Sequence, residues 1–186
     1  MIVERILPFA KSLITSHISE DSIVIDATCG NGLDTHFLAQ QVPEGHVYGF
    51  DVQEVAIKST QVKVSSFENV TLFQESHEHV KSCIPHHDHQ INAAIFNLGY
   101  LPKGDKSITT KSHSTIEAIK NTFDILTVEG IIVIVIYPGH DEGKIEKDDV
   151  LQYLESLPQD KAHVLKYAFI NQKNNPPFVC AIEKRA

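Results

Sequence analysis

Apolar residues follow two periods along this chain, one typical of β-strands and one typical of α-helices. Short, dense apolar runs predict strands over residues 22–26, 47–51, 70–74, 91–97, 130–137, 161–169 and 177–183. Apolar residues at helical spacing predict helices over residues 2–17, 33–41, 55–67, 112–126 and 148–157, with a short one near 77–83. Strands and helices therefore alternate through most of the chain.

This alternation is typical of an α/β fold, in which helices join parallel strands and cover both faces of the sheet. The last two strands are separated by a loop too short for a crossover helix, so they should pair as an antiparallel hairpin. We expect a seven-stranded, mostly parallel, Rossmann-like sheet that ends in this hairpin. The chain has no internal repeat, linker or low-complexity tract, which predicts a single domain over residues 1–186.

Composition narrows the class of protein. The 186 residues can bury a sizeable core within one domain. The three cysteines, Cys29, Cys83 and Cys180, are scattered and odd in number, which fits a reducing cytoplasm better than a disulfide framework. A net charge of −8, with arginine only at Arg5 and Arg185, argues against a general nucleic-acid-binding coat but leaves a local basic patch open.

The hydrophobic pattern predicts neither a membrane span nor a signal peptide. No apolar run approaches the ~18 residues that would predict a membrane span. The N-terminus lacks a basic segment followed by an apolar core, so no signal peptide is predicted. We therefore expect a cytoplasmic protein without a membrane partner.

The segment Asp-Ala-Thr-Cys-Gly-Asn-Gly, residues 26–32, joins the first strand to the next helix. In a doubly wound sheet this junction lies at the carboxyl edge, where ligands bind. Gly30 and Gly32 let the backbone turn tightly and approach a ligand closely. Asp51 ends the next strand about 20 residues further on, where an acid can accept both hydrogens of a ribose diol. The structural alternative is a tight turn that binds nothing.

Asp26 decides between nucleoside cofactors. A carboxylate just before the loop is badly placed for a phosphate but well placed for a ligand's ammonium group. The loop also lacks the Lys-Ser/Thr pair of a P-loop. Together these features favour S-adenosylmethionine over NAD or ATP as the cofactor.

Four ordered motifs extend this interpretation over nearly the whole chain: DATCGNGLDT, FNLGYLPKGDKSITT, YPGH and NQKNNPPFVCAIEK. With these motifs the chain resembles the class I S-adenosylmethionine-dependent methyltransferases. Within them it resembles a small bacterial family labelled rRNA methylase, whose characterised members are the MnmM-type tRNA methyltransferases. One departure is visible, because Lys103 stands where the family pattern has a second glycine.

The resemblance implies an activity and a partner. The activity is methylation of the amine of 5-aminomethyl-(2-thio)uridine at the tRNA wobble position, and the partner is the tRNA anticodon stem-loop. The sequence alone leaves three alternatives open: a methyltransferase for rRNA, one for a small-molecule amine, and a cofactor-binding sensor. It also leaves open which tRNAs are used, whether 2-thiolation is required and whether the chain forms a homodimer.

The resemblance assigns cofactor binding to residues at the first three strand ends. They are Asp26, Thr28, Gly30, Asn31, Gly32, Asp34, Thr35, Asp51, Gln53, Ser76 and His77. Those in the loop and helix start should line the methionine part, with Thr35 bonded to its carboxylate. Those after the second strand should face the ribose, and those after the third strand the adenine. For Asp34, Thr35 and Ser76 a plain helix cap is the alternative.

The segment Asn-Leu-Gly-Tyr-Leu-Pro at the end of the fourth strand resembles the Asn-Pro-Pro-Tyr type of motif in amino methyltransferases. The resemblance makes Asn97 and Tyr100 the catalytic pair. The Asn97 side chain and the Leu98 carbonyl would orient the amine, while the Tyr100 ring would pack on the uracil. A structural asparagine in a turn is the alternative.

Further substrate contacts are expected from residues on neighbouring loops. The expected substrate-binding set is Leu98, Gly99, Lys106, His140 and Asn175. An alkylamine is mostly protonated at neutral pH, so some group must take its proton. The candidates are Asp105, Tyr137 and His140, and the sequence does not choose among them.

Two more features concern ligands at the surface. Lysines near the same edge could form a phosphate-contacting rim, or could simply be solvated; they are Lys103, Lys106, Lys111, Lys144 and Lys173. Residues 76–89 carry five histidines and a cysteine, but Pro85 interrupts them and no paired zinc-ligand spacing occurs. We therefore expect no bound metal.

Overall fold

Helices and strands alternate along the chain in the computed structural model, which describes residues 2–99, 110–139 and 141–186. Its strands are β1 Ile23–Asp26, β2 His46–Phe50, β3 Val70–Phe73, β4 Ile91–Leu98, β5 Leu126–Ile136, β6 Ala162–Tyr167 and β7 Phe178–Lys184. Its α-helices are α1 Ile6–Thr15, α2 Leu33–Gln41, α3 Glu54–Lys63, α4 Val80–Cys83, α5 Ser112–Ile125 and α6 Asp141–Glu155. Two 3-10 turns, His77–His79 and His86–Asp88, flank α4.

All seven of these strands form one sheet in the order β3-β2-β1-β4-β5-β7-β6. Neighbouring strands from β3 to β5 run parallel, whereas β7 is antiparallel to both β5 and β6. The predicted sheet and its closing hairpin are therefore confirmed. The order of the strands reverses between β1 and β4, and ligands bind outside the carboxyl ends of the strands at such a reversal.

The central strands are buried on both faces, which explains the unbroken apolar runs 93–96 in β4 and 131–136 in β5. Along β5, Ile132 and Ile134 join the core on one face, with α5 and α6. Ile131 and Val133 join the core on the other face, with α1 and α2. The alternation of side chains along a strand thus divides a single apolar run between two cores.

Three elements begin four or more residues away from their predicted starts. Helix α1 begins at Ile6, four residues after its predicted start. Strand β5 begins at Leu126 instead of residue 130; its early part carries Glu129 in a left-handed conformation (φ 64°), and the pairing with β4 shifts register there. Helix α6 begins at Asp141 instead of residue 148. Its first two turns are rich in charge, and their one apolar side chain, Ile145, is exposed, so hydrophobic periodicity could not reveal them.

None of the helices in the described part of the chain is long and apolar enough to cross a lipid bilayer.

Candidate cofactor and substrate site

The glycine loop lies where the carboxyl ends of β1, β2 and β4 meet. Asp26, the last residue of β1, is in register with Gly49 on β2 and Ile95 on β4. Gly30 and Gly32 both have left-handed backbones, with φ of 53° and 74°. A Cβ atom on Gly32 would lie 2.8 Å from the Thr60 Cα atom, so α3 approaches too closely for any side chain there. Gly30 is therefore required by its conformation, and Gly32 by both its conformation and the lack of space.

Asp51 joins the second strand end to this loop. Its Oδ2 accepts a hydrogen bond from the Gly30 amide and its Oδ1 accepts one from the Gln53 amide, both at 2.9 Å. The side chain is half-buried. Each carboxylate oxygen keeps a further lone pair, so Asp51 can still accept two hydroxyl groups. The structure thus holds a carboxylate with free acceptor positions against the glycine loop, and its binding of a ribose diol stays a prediction.

Asp26 and Thr35 lie beneath the loop and bind each other. Both side chains are fully buried. The Thr35 hydroxyl donates to Asp26 Oδ2 at 2.6 Å, and the Thr28 amide donates to Oδ1 at 3.2 Å. Burial, together with repulsion from nearby Asp34, raises the pKa of Asp26 to about 7. Neither side chain is exposed, and both hold the loop from below; direct contact of either with a cofactor stays a prediction.

Asp34 binds side chains far along the sequence instead of capping its helix. The N-cap of α2 is Gly32, and it makes no side-chain capping bond. Asp34 Oδ2 accepts a hydrogen bond of 2.8 Å from Asn97 Nδ2 on β4. Asp34 Oδ1 lies 3.3 Å from the Lys11 Nζ atom on α1. The plain-cap alternative therefore does not describe Asp34.

Asn97 is held at two points. Besides the bond to Asp34, its backbone amide donates to Thr28 Oγ1 at 2.7 Å. Since a carboxylate has no hydrogen to donate, the amide nitrogen of Asn97 must be the end that faces Asp34. The Asn97 oxygen is then left as an acceptor on a half-buried side chain beside the glycine loop.

His77 follows β3 and is almost fully buried. Its Nδ1 lies 3.2 Å from the Ala27 carbonyl oxygen, which can only accept, so Nδ1 carries the hydrogen. Burial lowers the pKa of His77, which keeps the ring neutral near pH 7 and makes Nε2 an acceptor. Ser76 occupies the N-cap of the 3-10 turn without a capping bond. Both residues lie at the carboxyl end of the third strand, as expected.

A buried acid that the sequence analysis missed holds Thr110, which is bonded to Gly99 at the end of β4. Gly99 and Thr110 are joined twice, by Gly99 N to Thr110 Oγ1 at 2.9 Å and Thr110 N to the Gly99 carbonyl at 3.0 Å. Thr110 and Thr115 donate their hydroxyls to the two oxygens of Glu146, at 2.7 and 2.6 Å. Glu146 is only 3% exposed. Its spacing of four from buried Val150 was the available signal, since it puts Glu146 on the inner stripe of α6.

Two further predicted site residues, Asn175 and Tyr137, lie in the described part of the chain. Asn175 is exposed, with φ 49°, in the loop before β7, whose Phe178 is in register with Ile136 at the end of β5. It therefore lies toward the carboxyl end of β5. Tyr137, 36% exposed, has a pKa raised by burial and by the charge of Asp34, so its phenol stays protonated near pH 7 and cannot take up the amine's proton.

Several predictions fall outside the described residues. They concern Tyr100, Lys103, Asp105, Lys106 and His140. Among the remaining lysines of the expected rim, Lys111, Lys144 and Lys173 are exposed.

The histidine-rich segment makes separate local contacts. His79 Nδ1 lies 3.1 Å from a Glu75 oxygen, and His89 Nε2 lies 3.0 Å from the Ile84 carbonyl. His77 bonds the carbonyl of Ala27, the residue that follows β1. Within the described residues no group of three or more His, Cys, Asp and Glu side chains converges on one point that could hold a metal ion.

The donor set of this site suits a positively charged nucleoside. Asp51 binds the glycine loop and Asp26 lies beneath it; after burial, repulsion by the charges of Asp34 and Asp51 contributes to the raised pKa of Asp26. A cation bound there would relieve that repulsion, whereas a phosphate would increase it. Asp51 can accept from a ribose diol and His77 Nε2 from an exocyclic amine. These residues therefore fit S-adenosylmethionine better than a phosphorylated cofactor.

Comparison with known proteins agrees with this chemistry. The family model described as "Putative rRNA methylase" matches residues 47–183. A chain of Clostridium thermocellum described as a "putative rRNA-methylase" is 40% identical and superposes with a TM-score of 0.95, covering 99% of this chain and 100% of its own length. A "putative methyltransferase" of Streptococcus mutans, solved in complex with SAH, is 36% identical with a TM-score of 0.90, covering 98% of this chain and 99% of its own.

A curated relative carries a more specific description. It is the chloroplastic tRNA (mnm(5)s(2)U34)-methyltransferase of Arabidopsis thaliana, 36% identical over 174 residues. The match includes 87% of this chain and 63% of the relative, so this chain spans somewhat less than two-thirds of that protein. The sheet order, the glycine loop and these matches lead to one conclusion: the chain belongs to the family described as "Putative rRNA methylase" and has the class I methyltransferase fold.

Proposed function

We propose that this chain is an S-adenosylmethionine-dependent methyltransferase that methylates the 5-aminomethyl group of (2-thio)uridine at the tRNA wobble position. The product would be 5-methylaminomethyl-(2-thio)uridine. The observation that carries the proposal is the orientation of Asn97, whose amide oxygen is left as an acceptor beside a glycine loop suited to a cationic nucleoside. An acceptor there can hold an amine N–H, and the curated relative is described as acting on this kind of uridine.

The cofactor would be held by residues at the first three strand ends. Asp51 would accept the ribose hydroxyls, with Gln53 beside it, and the amides of the loop around Asn31 would bind the methionine carboxylate. His77 and Ser76 would face the adenine. When bound, S-adenosylmethionine supplies a sulfonium methyl group, which passes to the amine as nitrogen forms a bond to carbon, the carbon–sulfur bond breaks and sulfur keeps the electron pair.

The protein's own contribution is mainly positioning. The Asn97 oxygen and the Leu98 carbonyl would each accept a hydrogen bond from one N–H group of the neutral amine. These two bonds would direct the nitrogen lone pair toward the methyl group. Asn97 is well suited to this task because Thr28 holds its backbone and Asp34 holds its side chain. Holding a nucleophile in near-attack geometry can supply much of a rate enhancement.

The macromolecular partner in this proposal is the tRNA anticodon stem-loop. Exposed Lys111, Lys144 and Lys173, with Asn175 in the loop before β7, would contact its backbone despite the net charge of −8. The reaction would take place in the cytoplasm. The acidic net charge favours a second candidate, a methyltransferase for a small-molecule amine, because such a substrate needs no basic surface.

Methyl transfer to a defined tRNA tests the proposal. Purified chain and S-adenosylmethionine would be incubated with tRNA bearing 5-aminomethyl-2-thiouridine, and the nucleosides would be analysed by mass spectrometry. We expect one added methyl on the wobble nucleoside. No methylation under conditions where SAH binds the protein would overturn the tRNA assignment and favour the small amine.

The variant Asn97→Ala tests the chemistry in the same assay. We expect single-turnover transfer to slow by about 100-fold, since a misplaced nucleophile loses its near-attack geometry. SAH affinity should change by less than about twofold, which corresponds to ~0.4 kcal/mol of binding free energy. Asn92→Ala is the matched control, because Asn92 lies on the same strand at its amino end and bonds Ile23 there. Wild-type transfer by Asn97→Ala would show that the amine is held elsewhere.

A further inference from the structure

We infer that Asp34 is a positioning residue that sets which end of the Asn97 amide faces the substrate, with Lys11 holding Asp34 in place. The inference rests on the proposed function, since it assigns a role in the same methyl transfer. It differs from the expectation that Asp34 binds the cofactor.

The direction of one hydrogen bond carries the argument. Asn97 Nδ2 donates to Asp34 Oδ2 at 2.8 Å, and only 18% of the Asp34 side chain is exposed. A planar amide has its donor and acceptor at opposite ends, so fixing the nitrogen at Asp34 fixes the oxygen at the other end. A half-turn of the amide would lose a charge-assisted bond and bring the Asn97 oxygen against a carboxylate.

This choice matters for an amine substrate. The amine nitrogen must keep its lone pair for the methyl group, so its N–H bonds need acceptors. An Asn97 amide turned the other way would present its own N–H groups and would compete for that lone pair. Without Asp34 the two orientations of a terminal amide differ little in energy, because this torsion is broad and roughly two-fold. Asp34 therefore separates a productive orientation from an unproductive one.

Neighbouring contacts separate this role from a structural one. Thr28 Oγ1 holds the Asn97 backbone independently of Asp34, so the end of β4 should stay in place when Asp34 changes. Gly32 is the N-cap of α2, so no capping bond depends on Asp34. Lys11 Nζ lies 3.3 Å from Asp34 Oδ1 and 4.6 Å from the centre of the Phe37 ring. Lys11 on helix α1 thereby holds the second carboxylate oxygen of Asp34.

Variants that remove the carboxylate of Asp34, or exchange it with the amide of Asn97, provide the test. In Asp34→Asn, Lys11 binds the oxygen of the introduced amide, so the nitrogen of that amide faces Asn97 and favours the unproductive orientation of the Asn97 amide. We expect kcat on the 5-aminomethyluridine tRNA to fall about tenfold or more, the factor that corresponds to ~1.5 kcal/mol for one charge-assisted bond. SAH affinity should stay within about twofold. Asp124→Asn is the matched control, because it breaks a surface pair with Lys81 away from the site.

The double variant D34N/N97D restores the hydrogen bond with its direction reversed. The amide then lies on α2 and the carboxylate on β4, so an oxygen again faces the substrate. We expect it to exceed both single variants in kcat, since the single variant N97D sets two carboxylates against each other. A double variant no better than D34N, or a parallel loss of kcat and SAH affinity in D34N, would overturn the inference.

A readout without substrate or cofactor separates this inference from the proposed function. In a ¹⁵N–¹H spectrum, the side-chain NH₂ signals of Asn97 are those that disappear in N97D. We expect D34N to shift these signals and D124N to leave them in place. Unchanged signals in D34N would refute the Asp34–Asn97 bond even if the tRNA is methylated. Shifted signals with an inactive wild type would instead reject the substrate.

Discussion

Replacing Asp26 by asparagine should remove a large pH dependence of stability. Asp26 is fully buried beneath the glycine loop, and burial first, then the charge of Asp34, raises its pKa from 3.8 to about 7. The asparagine keeps the shape of the carboxylate. Its oxygen can still accept from the Thr28 amide, and its nitrogen can donate to the Thr35 hydroxyl. The fold should therefore survive while the titration disappears.

The magnitude follows from the size of the shift. The pKa rises by about three units, from 3.8 to about 7, and each unit corresponds to ~1.36 kcal/mol. The folded state binds this proton more tightly than the unfolded state does. Its contribution to stability is thus fully present below pH ~4 and is lost as the pH rises through about 7. The total change in the free energy of unfolding is about 4 kcal/mol.

Urea unfolding, followed by circular dichroism between pH 5 and 8.5, measures the effect. As the pH rises toward about 7, we expect the unfolding free energy of wild type, relative to that of Asp26→Asn, to fall by up to ~1.4 kcal/mol per pH unit. Asp21→Asn is the matched control: a hydrogen bond from Ser19 lowers the pKa of exposed Asp21, so its charge is constant in this range. Parallel stability curves for wild type and Asp26→Asn would refute the reasoning.

Four further predictions follow from other parts of the site. Asp51→Ala should weaken SAH binding at least about tenfold in calorimetry, because it removes the proposed diol acceptor; unchanged binding would exclude Asp51 from the cofactor site. Glu146→Ala should lower the unfolding free energy by about 3 kcal/mol or more, since the buried Thr115 hydroxyl and the half-buried Thr110 hydroxyl lose their acceptor, and an exposed change such as Glu155→Ala should cost far less. Gly32→Ala should cost about 2 kcal/mol or more in urea unfolding, because φ is 74° and Thr60 leaves no room for Cβ; a neutral result would mean that the loop adapts. Elemental analysis of active, chelator-dialysed protein should find no stoichiometric metal, and one retained zinc per chain would contradict this.

The local sequence pattern was sufficient for the sheet and for the edge that carries the site. Strands β4 and β5 contain unbroken apolar runs, residues 93–96 and 131–136, because both of their faces are buried there, and such runs between turn signals have few other solutions. The glycine loop and Asp51 were also identifiable, since a left-handed turn needs glycine and a diol needs an acceptor at the next strand end. These features depend on residues close in sequence or on the regular geometry of parallel strands.

The pairing of polar side chains was decided only by the tertiary structure. Asp34 and Asn97 are 63 residues apart, and nothing in either local pattern indicates that they bind each other. Glu146 lies in a charged stretch of α6, yet it is buried because Thr115 of α5 packs against it. A hydrophobic period tells which face of an element is buried, because burial is non-directional and depends on apolar area. A hydrogen bond requires a particular donor within about 3 Å of a particular acceptor, and that distance is set only when helices and strands pack together.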